Sequence, residues 1–595
     1  MKIFKGILAS PGIAIGKAYV LSRFHLAVVT RAINKNEVYA EIERFNAAIE
    51  MVRKEFVASA NKGAGNLSAS LRDIFNPHIQ ILSDPTLVEQ TRQLVEKNHV
   101  NPETALKETF DKLVQRFDKM KDGHIKDRLQ DIEFVVNKLL HAMTGAGGDD
   151  GLSNLAEPSI IFAHDLSPFD TAQMSAKDVL GFVTEAGGKT SHTGIIASSL
   201  NIPAIVGIPK ILKSVQTGDY VVLDATTGNV IIRPTDEQFQ TFNRKRQKVL
   251  YLDKKMEMDA GKEARTLDGV LVTLSANIEG HSDIAGAILH GAEGIGLYRT
   301  EFLFVKGNRL PDEDEQFEDY KKVAQSIAPH TAIIRTLDLG GDKIHDHLSM
   351  EHEANPALGL RAIRYCLDHH AIFRTQLRSI LRASHYGKLR VMFPMVGSLE
   401  EFLKARSMMD KIKRELERDK IHFDRNMKIG MMVETPSAAI SIHQFAANGV
   451  EFFSIGTNDL IQYLLAIDRA NQSVASLYEP LNPAVIRTLW NIIQSANRYK
   501  APVSVCGKMS MDPIYAFLLI GMGDVESLSM DSHSIPKLKQ FIRNISAEDA
   551  RKHVLRLMEF DRVKEIKKYL VKNIVPLFSE GMVSELTSED SSVDF

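Results

Sequence analysis

The sequence predicts a multidomain α/β architecture: an α/β domain with an inserted all-helical block, followed by a (β/α)8 barrel. Three observations predict it. Short apolar runs at the N-terminus find their continuation only after residue 158. The residues between, from Asn36 to Met143, keep a helical period with few glycines. Beyond Thr266, eight short apolar runs recur over roughly 300 residues, each followed by a helix-prone stretch, which is the arithmetic of a barrel.

Each element has its own reason. The first twenty residues are rich in Gly, Ala, Ile and Val and break at Ser10-Pro11-Gly12, so they read as strand–turn–strand. Val38 to Ser59 and Thr104 to Lys121 are helical-period segments, and Asn101-Pro102 with Thr104 behind it reads as a helix stop and start. Thr144 to Gly151, with four glycines, is a connector. Ser159–Ala163, Val179–Thr184, Ala204–Val206 and Tyr220–Asp224 read as short strands between helices and turns. Thr235 to Ala264 is polar and helix-prone; its acids are interleaved with its bases, so it reads as a solvated linker rather than a nucleic-acid contact. The barrel strands are expected at Val270–Ala276, Gly294–Tyr298, Ala332–Thr336, Leu389–Pro394, Ile429–Val433, Phe452–Ile455, Val503–Val505 and Glu526–Met530. The serine-rich acidic tail from Gly581 to Phe595 is expected to be disordered.

Composition excludes whole classes of function. The 595 residues carry 73 Lys plus Arg against 75 Asp plus Glu, a formal charge of -2. That balance argues against a nucleic-acid or membrane-surface binder. Two cysteines, Cys366 and Cys506, cannot build a disulfide framework and fit a reducing compartment. The N-terminus has no signal-peptide pattern, and no stretch reaches the ~20 apolar residues of a membrane span. The expectation is a cytoplasmic protein without membrane insertion.

The chemistry concentrates at two places. A barrel of this kind works at the C-terminal ends of its strands. Those ends read Tyr298-Arg299-Thr300-Glu301, Arg335-Thr336-Leu337-Asp338, Met432-Val433-Glu434-Thr435, Gly456-Thr457-Asn458-Asp459 and Val505-Cys506-Gly507-Lys508. Arginine presents planar, bidentate donors for phosphate and carboxylate oxygens. Glu434 and Asp459, from two strand ends, suit a Mg²⁺ that keeps sites open for substrate and water. The set describes a small, highly anionic, phosphorylated substrate bound with a divalent metal. The second place is Gly187-Gly188-Lys189-Thr190-Ser191-His192-Thr193-Gly194, which follows a strand and opens a helix. Free N–H groups and the helix dipole there favour an anion, and His192 would be a nucleophile within that nest. A Walker loop is rejected, because its upstream glycine would fall at Val183. His345-Asp346-His347 lies in a loop, and Cys366 reads as a buried core thiol beside Ile363 and Leu367.

On the stretches Gly6 to Ala14, Gly187 to Val206, Gly291 to Phe304, Ile333 to Lys343, Asn355 to Arg364, Met432 to Pro436, Phe452 to Arg469 and Cys506-Gly507, the sequence resembles Enzyme I, the phosphoenolpyruvate–protein phosphotransferases of the bacterial phosphotransferase system. The resemblance runs to about Asn573. It implies a phosphohistidine α/β domain from residues 1–24 and 146–234 and a helical subdomain at 25–145 that docks the carrier protein HPr. It further implies a helical linker and hinge at 235–264, a barrel at 265–575 that binds phosphoenolpyruvate and dimerises, and a tail at 576–595. The implied reaction moves the phosphoryl group of phosphoenolpyruvate to His192 and then to a histidine of HPr, releasing pyruvate, with Mg²⁺ or else Mn²⁺ as cofactor. By the same resemblance Arg299, Arg335, Asn458, Arg469, Lys343 and Arg361 bind substrate, Glu434 and Asp459 bind metal, and Cys506 protonates the enolate. The chain is expected to form a homodimer.

Several positions depart from the family pattern, and in the helical block the family's usual Arg-Asp-Ile-Gly-Lys is Gln130-Asp131-Ile132-Glu133-Phe134, with only Asp131 and Ile132 matching. Lys189 and Ser198 stand where the family usually has arginines, and Lys508 stands where it has a glutamate. Lys508 is expected to lower the pKa of Cys506 by favouring its thiolate. These departures motivate an alternative, a slow relative of Enzyme I that regulates a partner according to its own phosphorylation. An enzyme that exchanges phosphoenolpyruvate with a small-molecule donor is a weaker alternative, since the chain leaves no room for a nucleotide domain.

Overall fold

A computed structural model of the chain describes residues 2–10, 12–21, 29–60, 78–117, 124–144, 155, 157–166, 178–187, 202–305, 309–339, 353, 355–469, 471 and 473–577. It divides into two compact units, 1–251 and 252–595.

The first unit holds an eight-stranded sheet with β1 (Lys2–Lys5), β2 (Ile7–Ser10), β3 (Ile13–Val20), β4 (Ser159–Ala163), β5 (Val179–Thr184), β6 (Ala204–Val206), β7 (Tyr220–Asp224) and β8 (Asn229–Ile232). The strand order is β1-β8-β7-β3-β4-β5-β6-β2. The centre, β3 to β6, is parallel; β7, β8, β1 and β2 add antiparallel edges. β4 to β6 read as unbroken apolar runs because both faces of a parallel sheet are covered, and Ile160, Phe182 and Ile205 are accordingly fully buried. The sequence reading missed β8. Its signal was the Thr227-Gly228 turn: Gly228 has φ +74° and a Cβ there would stand 2.8 Å from the carbonyl oxygen of Gly6.

The helical block lies between β3 and β4 in the chain, with helices Val38–Ala60, Pro85–Asn98, Pro102–Phe117 and His124–Thr144. They pack around Phe45, Phe56, Leu87, Leu106 and Leu139. Asp84 caps the second helix by accepting from the Thr86 N–H at 2.7 Å, and His99 ends it in the left-handed conformation. The polar linker is the helix Asp236–Asp259.

The second unit is a closed, all-parallel barrel of β9 (Thr273–Ile278), β10 (Ile295–Arg299), β11 (Thr331–Arg335), β12 (Lys388–Phe393), β13 (Ile429–Val433), β14 (Phe453–Gly456), β15 (Val503–Cys506) and β16 (Ser527–Met530). The pleat sorts its side chains with period two. Tyr298, Ile334, Val433, Ile455 and Val505 pack outward into the large core shared with the helices. Leu297, Ile333, Met392, Met432 and Cys506 form a separate cluster on the opposite, inner face. Cys366 is buried in the outer core, as the sequence suggested. The acidic tail lies outside the described residues. Among the described residues, no helix is long and apolar enough to cross a membrane.

Gly291 closes the turn into β10. Its φ is +82°, and an added Cβ would stand 2.1 Å from the carbonyl oxygen of Ala260. Gly291→Ala is therefore expected to destabilise the barrel by about 1–3 kcal/mol or more, from the left-handed backbone plus the clash. Thermal unfolding followed by circular dichroism checks this; an unchanged transition would contradict it.

Candidate active site

Four of the sequence-predicted residues share one rim for a simple reason. Arg299 follows Leu297 by two, Arg335 follows Ile333, Glu434 follows Met432 and Cys506 follows Ser504, so each continues the inward face of its strand at the C-terminal end. Gly456 at the end of β14 carries no side chain, and a Cβ there would come within 2.9 Å of a Glu434 carboxylate oxygen and 3.0 Å of the Met432 sulfur. The strand therefore makes room for Glu434. Asn458 and Asp459 lie in the first turn of the helix Thr457–Leu465. Its left-handed end at Ala466 (φ 54°) turns the chain, and Gln462 Oε1 accepts from the Arg469 N–H at 3.3 Å.

Ion pairs tie these groups together. Arg335 is 9% exposed, with Nη2 2.9 Å from Glu301 Oε1 and Nη1 3.1 Å from Asp338 Oδ2. Burial works against its charge, yet Glu301, Asp338 and Glu434 outweigh it and hold the guanidinium above its ordinary range. Arg361 donates Nη2 to Asp338 Oδ1 at 2.9 Å and Nη1 to the Tyr463 hydroxyl at 3.2 Å, and stands 3.7 Å from Asp459 Oδ2. Arg469 reaches the other Asp459 oxygen at 3.0 Å. Arg299, at the more open side, pairs with Glu279 at 3.2 Å.

Glu434 is different. It is 2% exposed, and among the described residues it is in no ion pair; Oε1 accepts from the Met395 N–H at 2.6 Å. Burial, then the neighbouring Asp459 and Asp338, push its pKa up to about 8. Among the described residues the arginines Arg299, Arg335, Arg361 and Arg469 face the carboxylates Glu279, Glu301, Asp338, Glu434 and Asp459, so these groups hold no surplus of positive charge.

Cys506 sits 3% exposed at the bottom of this rim. Its pKa is raised, first by burial and then by Glu434, against the opposing Ser454 hydroxyl, Arg335 and Arg299. The expectation that Lys508 lowers it is corrected here. Lys508 is exposed, and its backbone N–H donates to Asn458 Oδ1 at 3.1 Å, so its contribution is to fix the asparagine rather than to set the thiol. Sequence reasoning also missed Tyr463, whose hydroxyl holds Arg361 and donates to the Ala357 carbonyl at 2.6 Å. Its signal was the spacing of four from Asp459 on one helix face. Glu301 and Asp338 were read only as strand-end carboxylates. His192, Lys189, Ser198, Lys343 and the His345-Asp346-His347 loop lie outside the described residues.

Comparison with known proteins adds three domain matches. Residues 253–547 match the PEP-utilising enzyme, PEP-binding domain; residues 5–128 match the PEP-utilising enzyme, N-terminal domain; residues 155–228 match the PEP-utilising enzyme, mobile domain. The chain is 41% identical over 555 residues to a phosphoenolpyruvate-protein phosphotransferase of Haemophilus influenzae, covering 92% of this chain and 95% of that protein. It is 40% identical over 569 residues to the protein of that name from Geobacillus stearothermophilus (96% and 98% covered) and 39% over 572 residues to that from Bacillus subtilis (96% and 99%).

The Glu434 environment makes a signed statement about stability. The folded carboxyl keeps its proton to about 8, whereas a free glutamate releases it near 4.5. Within that window the folded barrel binds more protons than the unfolded chain, so stability falls as pH rises. With divalent cations chelated, the thermal midpoint of the barrel is expected to drop between about pH 5 and about pH 8, and Glu434→Gln to flatten that slope. A variant with the wild-type slope would place the titration elsewhere.

Proposed function

The chain belongs to the phosphoenolpyruvate-protein phosphotransferase family, and on that premise we propose that its barrel binds phosphoenolpyruvate and that His192 takes the phosphoryl group. The protein is a phosphotransferase enzyme, the first carrier of a relay that passes the group to a histidine of an HPr-type protein and releases pyruvate. The single observation that carries the barrel's part is the rim itself: four arginines, an amide and a buried thiol converge at the strand ends of one closed barrel.

Each residue has a task that follows from its geometry. Arg335 and Arg361 are held rigid by carboxylates and present their remaining edges to phosphate and carboxylate oxygens. Arg299 and Arg469 stand half exposed at the mouth, where they can close on the anion; Lys343 would join them. Asn458, fixed by the Lys508 N–H, offers its amide donors. Cys506 gives a proton to the methylene carbon of the enolate as the phosphoryl group leaves.

The donor set also fits a divalent cation. Glu434 and Asp459 come from neighbouring strand ends, and with Glu434 protonated the described carboxylates already match the arginines before any anion arrives. Glu434 and Asp459 would hold Mg²⁺, with Mn²⁺ the alternative, leaving its other positions to substrate oxygens and water. Bound there, the ion neutralises phosphoryl and carboxylate charge. The helical block is the proposed docking surface for HPr, the helix Asp236–Asp259 the proposed hinge, and a cytoplasmic homodimer the proposed state. The regulatory alternative rests on Lys189, Ser198 and Lys508 alone. Lys508 leaves the Cys506 environment to other groups, which weakens that reading.

Incubation with phosphoenolpyruvate and Mg²⁺, followed by intact-mass spectrometry under mildly basic conditions, is expected to add one phosphoryl group to the wild type and none to His192→Ala. Chelation of the metal should abolish the adduct. A folded wild-type chain that takes no phosphoryl group would overturn the assignment and bring the regulatory reading forward.

A further inference from the structure

We infer that Ser454 is a positioning residue for Cys506: its hydroxyl fixes the sulfur at the barrel rim and donates to the thiolate left after proton transfer. The inference rests on the proposed role of Cys506 as proton donor.

Several buried serines lie on the barrel strands, and Ser454 is the one whose hydroxyl meets the Cys506 sulfur. Ser454 lies in β14 between Phe453 and Ile455, which both pack outward. Its own side chain therefore points inward, and it is fully buried. Burying a hydroxyl is costly unless it is hydrogen-bonded. The one side-chain hydrogen bond described for Ser454 runs to Cys506 Sγ, at 3.5 Å. The sulfur in turn donates to the carbonyl of Ile455, also at 3.5 Å. Two contacts from one strand thus fix the thiol on its neighbour.

The other buried cysteine provides a contrast. The Cys366 sulfur donates to the Leu337 carbonyl at 3.8 Å, and among the described residues no hydroxyl donates to it. A thiol that merely fills space needs only an acceptor for its S–H. A thiol that gives up its proton needs a donor for the charge that remains.

The Sγ–H bond of Cys506 breaks and a C–H bond forms on the methylene carbon of the enolate. The S–H electron pair stays on sulfur as a thiolate, which water later reprotonates. Glu434, Arg335 and Arg299 are the charged groups that bear on this sulfur. Arg335 and Arg299 are already paired with carboxylates, which leaves the Ser454 hydroxyl as the neutral donor in contact with it. Hydrogen bonds to charged groups are the stronger class, so its loss should slow pyruvate formation by roughly tenfold or more.

The test compares wild type, Ser454→Ala, Ser454→Thr and Cys506→Ala in steady-state pyruvate formation with the carrier present, in H₂O and D₂O. Ser454→Ala is expected to lower kcat with KM for phosphoenolpyruvate unchanged and to raise the solvent isotope effect, because protonation becomes rate-limiting. Ser454→Thr, which keeps the hydroxyl, should return the isotope effect toward wild type. A Ser454→Ala enzyme with wild-type kcat, or a lowered kcat without a change in isotope effect, would overturn the inference while leaving Cys506 in place. Wild-type turnover by Cys506→Ala would instead remove the reading on which it rests.

Discussion

The barrel rim depends on keeping one guanidinium charged where water scarcely reaches it. Arg335 ends β11 almost wholly buried, and such a charge persists only with close partners. Glu301 supplies one and Asp338 the other, and Glu301 Oε1 also accepts from the Asp338 N–H at 3.0 Å. From Asp338 the pairing passes to Arg361, from Arg361 to Asp459, and from Asp459 to Arg469. Four segments distant in sequence are thereby coupled into one charge chain. Taking out Glu301 or Asp338 strands Arg335 in low dielectric, typically at about 3–5 kcal/mol, whereas the half-exposed Arg469 at the far end is screened by water. The rim geometry is thus a collective property, and no single side chain in it can be tuned alone.

The same chain explains why the arginines are ready for an anion without being collapsed onto one another. Each is oriented by a carboxylate before substrate arrives, so little reorganisation remains for binding. Charge balance then sets a condition on the ligand. Carboxylates already match or exceed the arginines, and an anionic substrate adds to the negative side. The proposed divalent cation beside Glu434 and Asp459 would reverse that balance and displace the proton that burial keeps on Glu434.

Much of this was legible in the sequence because the barrel obeys a period of two at every strand. Among the barrel strands β13 has its expected bounds, and most other limits differ by one or two residues in either direction, because the ladder also takes in residues that flank the apolar runs, such as Lys388, Arg299 and Gly456. β9 begins three residues late, at Thr273, because Val270 and Leu271 are apolar yet exposed. Arg299, Arg335, Glu434, Asp459 and Cys506 stood out as polar residues at the ends of apolar runs. Tyr463 and Ser454 did not, because a tyrosine on a helix and a serine in a strand are ordinary residues until their partners are known. Those partners, Arg361 and Cys506, lie 102 and 52 residues away. β8 was lost for another reason: it opens on the polar Asn229 and follows β7 directly across the tight Thr227-Gly228 turn, so the two strands do not separate into distinct apolar runs.

The Lys508 expectation failed in an instructive way. It treated Cys506 as a thiol tuned by the charge of its neighbour in sequence, which is the logic of a nucleophile that needs its thiolate. In the barrel that lysine is exposed and the sulfur is buried, so burial governs and the proton is held more tightly, not less. For a nucleophile this would be a handicap. For a general acid it is an advantage, because the donor must remain protonated until a strongly basic carbon forms beside it. The enolate is such a carbon. A buried thiol with its S–H on a carbonyl and a hydroxyl beside its sulfur is therefore better suited to giving a proton than to attacking a substrate, which supports the proposed role of Cys506 where residue type alone does not.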